Sequence, residues 1–166
     1  MVLHITTSVK KMVMNFLKRL HKEKSLLLVE PSDDIRDAYL KKSESYLASA
    51  KLLLDNDRYE ESVSMGYYSM YYSVLALFFA TGIKCENHSA AIMLLKDIFG
   101  INNSAIKSAK AERIDKQYYV TSAPVRDDVV TLIRDAGSFN AVLLDAIARL
   151  TNEKKESFRQ KLKKLF

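Results

Sequence analysis

The chain has 166 residues, 48% of them apolar, and a single cysteine, Cys85. It is long enough for one hydrophobic core and carries no disulfide framework or cysteine-cluster zinc site. Its formal charge of +6 is unevenly placed: residues 1–24 hold six Lys/Arg against one Glu, and residues 152–166 hold six against two, so the ends carry +5 and +4 and the middle −3. Such ends suit phosphate backbones or acidic surfaces, and equally plain solvated helix faces.

Four glycines and two prolines leave few turns, which points to an all-α fold. The first predicted helix is capped at Thr7 or Ser8 and reaches about Lys24, with Met12, Val13, Phe16, Leu17 and Leu20 as its apolar stripe. Residues 25–30 form a connector closed by Pro31. Ser32 followed by Asp33 and Asp34 is a cap with acids in the first turn. That helix runs to about Leu54 and ends at Asp55, Asn56 and Asp57.

The next helix spans residues 58–81, with Gly82 as its C-terminal stop. Four of its six residues from 67 to 72 are tyrosine: Tyr67, Tyr68, Tyr71 and Tyr72. At 100° per residue it separates into three strips. Val63, Tyr67, Met70, Tyr71, Val74 and Phe78 form one, and Tyr68, Tyr72, Leu75 and Phe79 a second. Ser62, Gly66, Ser69, Ser73 and Ala80 form a third, of small residues. A helix apolar nearly all round must be covered on several sides. We expect a central bundle helix whose tyrosines also meet a second copy of the chain.

Asn87 caps a short helix from His88 to about Phe99, stopped by Gly100. A polar helix follows over residues 104–119, then a loop around Pro124 and a long helix over residues 125–150. The basic tail places Phe158, Leu162, Leu165 and Phe166 on one side. No stretch alternates as a strand. The expected architecture is an antiparallel four-helix up-and-down bundle over residues 31–151. It is preceded by a basic helix and connector, 1–30, and followed by a basic helical tail, 152–166. The apolar run 74–80 is too short to span a bilayer and no signal peptide is evident, so a cytoplasmic protein without a membrane span is expected.

Four segments carry a family resemblance: Ala38-Tyr-Leu-Lys-Lys-Ser-Glu-Ser-Tyr-Leu, Gly66-Tyr-Tyr-Ser-Met-Tyr-Tyr-Ser-Val-Leu-Ala-Leu, Gly82-Ile-Lys-Cys-Glu-Asn-His-Ser-Ala and Arg113-Ile-Asp-Lys-Gln-Tyr-Tyr-Val. In that order they resemble the HEPN superfamily (higher eukaryotes and prokaryotes nucleotide-binding), most of all a group of uncharacterised archaeal HEPN proteins. The resemblance implies a four-helix bundle that forms a homodimer. It also implies a toxin–antitoxin or defence setting, with a nucleotidyltransferase-family antitoxin as partner and RNA or nucleotide as ligand. Many HEPN proteins resemble metal-independent ribonucleases that place an Arg and a following His in the dimer cleft. No metal or cofactor is implied.

Metal-independent RNA cleavage needs a base for the 2′-OH, an acid for the leaving oxygen and a cation on the phosphate. Arg113 stands in the matching segment, but Tyr118 and Tyr119 follow where the family has its histidine. A tyrosine with a pKa near 10 is a poor base at neutral pH. His88 is the alternative: the archaeal group has a histidine in that setting, although here it precedes Arg113. It is either a proton-transfer group or a helix-start residue bonded to backbone. Arg113 with Asp115 is a phosphate contact or a surface ion pair, and Tyr119 stacks a base or fills an interface. Cys85, three residues before His88, reads as structural rather than as a thiol nucleophile. Three functions remain open: an RNA- or nucleotide-binding HEPN protein without ribonuclease activity, an active ribonuclease using Arg113 with His88 or Tyr118, and an interaction scaffold.

Overall fold

The computed structural model describes the backbone of residues 2–118 and 123–166 and the side chains of residues 8–114 and 123–166. The elements in order are α1 (Val2–Lys22), β1 (Leu26–Leu28), α2 (Asp33–Asp55), α3 (Tyr59–Thr81), β2 (Ile83–Cys85), α4 (His88–Asp97), α5 (Ser104–Tyr118), α6 (Arg126–Ala148) and α7 (Asn152–Lys163). The all-α bundle consists of α2, α3, α5 and α6, with α3 against each of the other three.

The small-residue strip of α3 explains how so bulky a helix packs so closely. Ser43 and Ser69 exchange hydrogen bonds between α2 and α3, each hydroxyl donating to the other residue's carbonyl at 2.7 and 2.8 Å. Ser62 donates to the Ala50 carbonyl at 2.7 Å. These pairings run in opposite directions along the two chains, so α2 and α3 are antiparallel. Along α6 the register runs the same way: a Cβ on Gly66 would lie 2.5 Å from Leu132, and Ser73 donates to Asn140 Oδ1 at 2.9 Å. The Asn140 amide donates in turn to Ser69 Oγ. The parallel pair α3 and α6 therefore makes a close diagonal contact across the bundle, where the Asn140 amide and nearby backbone carbonyls satisfy the buried hydroxyls of Ser69 and Ser73.

The expected boundaries hold for α2, where Ser32 accepts from the Ile35 amide, and for α3, where Gly82 adopts φ +80°. Three expectations are corrected. First, α1 begins at Val2, because Thr6, Thr7 and Ser8 are tolerated inside a helix; propensity is a weak signal. Second, α4 ends at Asp97, before Phe99. Third, residues 26–28 and 83–85 form an antiparallel ribbon, with Leu27 opposite Lys84. Each strand has three residues, too few for alternation to be visible.

The ribbon and α7 close the far end of α3. Arg159 on α7 donates from Nη1 to the carbonyls of Val29 at 2.7 Å and Gly82 at 2.8 Å. The guanidinium thus supplies donors and positive charge at the C-terminal end of α3, where carbonyls lack helical partners. Leu17, Leu20 and Leu162 are buried beneath α1 and α7. His21 stacks on Phe166 at 3.9 Å.

Candidate functional site

Three elements meet one third of the way along α3. Tyr67, Tyr68 and Tyr71 lie there on adjoining faces of the helix. The Asn87 side chain accepts from the Ala90 amide at 3.0 Å and so starts α4 with His88 as its first residue. Helix α5 brings Lys110 and Arg113, one turn apart, across the same tyrosines.

The His88 ring stacks on Tyr71 at 3.8 Å with an interplanar angle of 16°, and its Nδ1 lies 2.6 Å from the Tyr67 hydroxyl. Arg113 lies over the faces of Tyr67 and Tyr68, 5.1 and 5.3 Å from the ring centroids. Its Nη1 donates to the Tyr68 hydroxyl at 3.0 Å. Lys110 donates to the Ser89 hydroxyl beside His88. His88 and Arg113, 25 positions apart in sequence, are thus joined through two tyrosines, and the histidine is bonded to a side chain rather than serving only to start a helix.

The electrostatics follow from this crowding. Burial, then the Arg113 guanidinium, then the Lys110 ammonium hold His88 below its ordinary pKa of 6.5. Burial and Arg113 likewise lower Lys110. Burial pushes Tyr67 up to about 12, against the opposing pull of Arg113, so its hydroxyl stays protonated at neutral pH. Burial raises Tyr71 as well. The result is a neutral imidazole beside positive charge. Such a site attracts an anion, and a bound phosphate would offset the cations and raise the proton affinity of His88. A neutral imidazole placed in this way can accept a proton as charge develops on a reacting oxygen.

Lys110 was not legible as a site residue; its signal was its position one turn before Arg113 on the same face of α5. The side chains of Asp115, Tyr118 and Tyr119 lie outside the described residues. Tyr67 and Tyr71, expected at a dimer interface, are 0% and 5% exposed within a single chain, so their cover is intramolecular. Tyr68 and Tyr72 are half-buried. Tyr72 packs edge-on against Tyr46 at 4.9 Å, with Lys42 4.5 Å above its ring. Cys85 is buried, and burial pushes its thiol up to about 11. This is the environment of an inert structural cysteine. Among the described residues no helix is long and apolar enough to cross a membrane.

The HEPN domain family matches residues 37–157, from early α2 into α7. The chain is 25% identical over 123 residues to the Methanocaldococcus jannaschii protein named "Putative toxin MJ0605", covering 70% of this chain and 90% of that protein. It is 34% identical over 86 residues to a UPF0332 protein of Pyrococcus horikoshii, covering 52% of this chain and 56% of the other. A UPF0332 protein of Thermotoga maritima is 28% identical over 87 residues, covering 52% and 61%. The match therefore spans little more than half the length of the last two relatives.

Proposed function

This chain belongs to the HEPN domain family, and from that premise we propose that it is a toxin-type HEPN protein that binds RNA phosphates at Arg113, Lys110 and His88. The observation that carries the reading is the convergence of His88 and Arg113 on Tyr67 and Tyr68. Arg113 holds a phosphate oxygen, Lys110 adds a second cation, and the exposed part of the tyrosine wall offers π-faces for a base. The name of the Methanocaldococcus relative supports the toxin setting. In that setting the protein works in the cytoplasm as a homodimer, to which Tyr68 and Tyr72 contribute, with a nucleotidyltransferase-type antitoxin as its counterpart.

Binding of a labelled single-stranded RNA, followed by fluorescence anisotropy across salt concentrations, tests the proposal. Two phosphate contacts give a slope of about −1.4 in log K against log salt. Arg113→Ala is expected to weaken binding about tenfold, a loss of roughly 1.4 kcal/mol. Unchanged affinity in that variant rules out this site.

A second reading, RNA cleavage without metal, is favoured by one further observation: His88 Nδ1 lies 2.6 Å from the Tyr67 hydroxyl, where burial and the two cations lower its proton affinity. His88 would take the proton of the 2′-OH as its oxygen attacks phosphorus and the bond to the 5′-oxygen breaks. Arg113 would stabilise the phosphate charge, and Lys110, its proton affinity lowered by burial and Arg113, would protonate the departing oxygen. Incubating RNA with the protein in EDTA separates the readings. Shortened products that disappear in His88→Gln support cleavage; intact RNA with retained binding leaves binding alone.

A further inference from the structure

The two basic ends of the chain, apart in sequence, fold against each other outside the helices that build the tyrosine site. Helix α1 precedes the family match and most of α7 lies at or beyond its end. Between them, over the end of α4, runs a groove of about 730 Å³. Val13 and Leu17 of α1, Ile98 after α4, and Leu165 after α7 form its apolar surface. Lys10 stands on one wall and Lys161 and Lys164 on the other, against one acid, Asp97. Val9, on the groove, is 50% exposed, and Met12 on the same helix is 69% exposed.

We propose that this groove is a docking site for an acidic amphipathic segment of a partner protein, a surface separate from the RNA site. Charge complementarity names the occupant. An apolar floor wants apolar side chains, and lysines on both walls want carboxylates on both flanks of whatever lies between them. A helix with leucines on one face and glutamates beside them meets both demands at once. The span from Val9 to Leu17 accommodates about two helical turns. A second copy of this chain is disfavoured, because self-docking would set lysine rims against lysine rims. A nucleic acid would use the rim and leave the apolar floor uncovered. A flat bilayer would meet the rims of α1 and α7 without filling the recess between them.

The test uses the full chain and a fluorescein-labelled 18-residue helical peptide, leucine on one face and glutamate on the other. A twin peptide carries lysine for every glutamate, and vesicles of phosphatidylglycerol complete the set. The acidic peptide is expected to bind with a Kd below roughly 100 μM at moderate salt. Binding should weaken about tenfold in the double variant Lys161→Glu and Lys164→Glu, whose RNA affinity stays unchanged; circular dichroism checks that it folds. The lysine twin should not bind. The proposal is overturned by equal binding of the two peptides to the wild-type protein, which needs no variant to read. It is equally overturned if the folded double variant binds as wild type, or if vesicles take up the protein while the acidic peptide stays free.

Discussion

Two arginines pack against α3, and they do different things. Arg159 sits at the helix's C-terminal end and donates to the carbonyls of Val29 and Gly82. Those acceptors are fixed backbone carbonyls, the Gly82 one shared with the Val29 amide, so the guanidinium ties α7, the ribbon and α3 together. Arg113 sits on the faces of Tyr67 and Tyr68, next to His88 and Lys110. Its surroundings gather positive charge in a half-buried place: burial first, and the Arg113 guanidinium second, lower the proton affinity of both neighbours. The same side chain is a structural tie where it meets backbone carbonyls, and where it gathers with other basic groups on aromatic surfaces it is the cation that the proposed RNA site depends on.

The comparison can be broken most forcefully at Gly82. A Cβ there would lie 2.5 Å from the Val29 carbonyl and run into the Arg159 guanidinium, on a backbone with φ +80°. Gly82→Ala is expected to cost about 3 kcal/mol in urea unfolding. Gly100→Ala, at φ +68° but facing open space, should cost only about 1 kcal/mol. Next in size, Arg159→Met should destabilise by about 2 kcal/mol, because charge-assisted bonds to backbone are lost. Equal stability of that variant and wild type would remove Arg159 from its structural role. Arg113→Met should leave the unfolding midpoint much closer to wild type while losing RNA affinity about tenfold. A variant with the opposite pattern would make Arg113 the tie.

A pH series sharpens the same contrast. The proton affinity of His88 is depressed in the folded chain, so below pH 6.5 the unfolded chain binds more protons at this position. Its contribution to stability is therefore complete above 6.5 and is lost as pH falls from there through the lowered folded value. The His88 ring protons should titrate by NMR with a midpoint below 6.5, moving upward in Arg113→Met. His88→Gln should remove this part of the acid sensitivity. The smallest effect concerns Cys85, whose thiol burial pushes up to about 11. Iodoacetamide at pH 8 should label it only on unfolding, as mass spectrometry of intact protein would show.

Much of the framework was legible in the chain. The Ser32 cap, the Gly82 stop and the three strips of α3 each follow from local chemistry, and each stands where expected. Arg113 and His88 were both visible as candidates. Their meeting was not, because it depends on the start of α4 and one face of α5 reaching the same tyrosines. Lys110 is silent in the sequence for the same reason: one lysine on a polar helix carries no mark until its face is known. The ribbon was missed because three residues per strand are too short to show a period.

Local periodicity and capping, which depend only on neighbours a few residues apart, determined by themselves that this protein is a helical bundle built around a tyrosine-rich helix. The cover of those tyrosines was left undecided by the same pattern, since a wheel shows which faces must be buried and not what buries them. Tertiary structure decided that Tyr67 and Tyr71 are buried by their own chain, that His88 and Arg113 meet at the same tyrosines, and that one arginine is bonded to backbone carbonyls while the other lies on aromatic faces. Those outcomes rest on contacts between distant segments and on the burial they create, which no local pattern encodes.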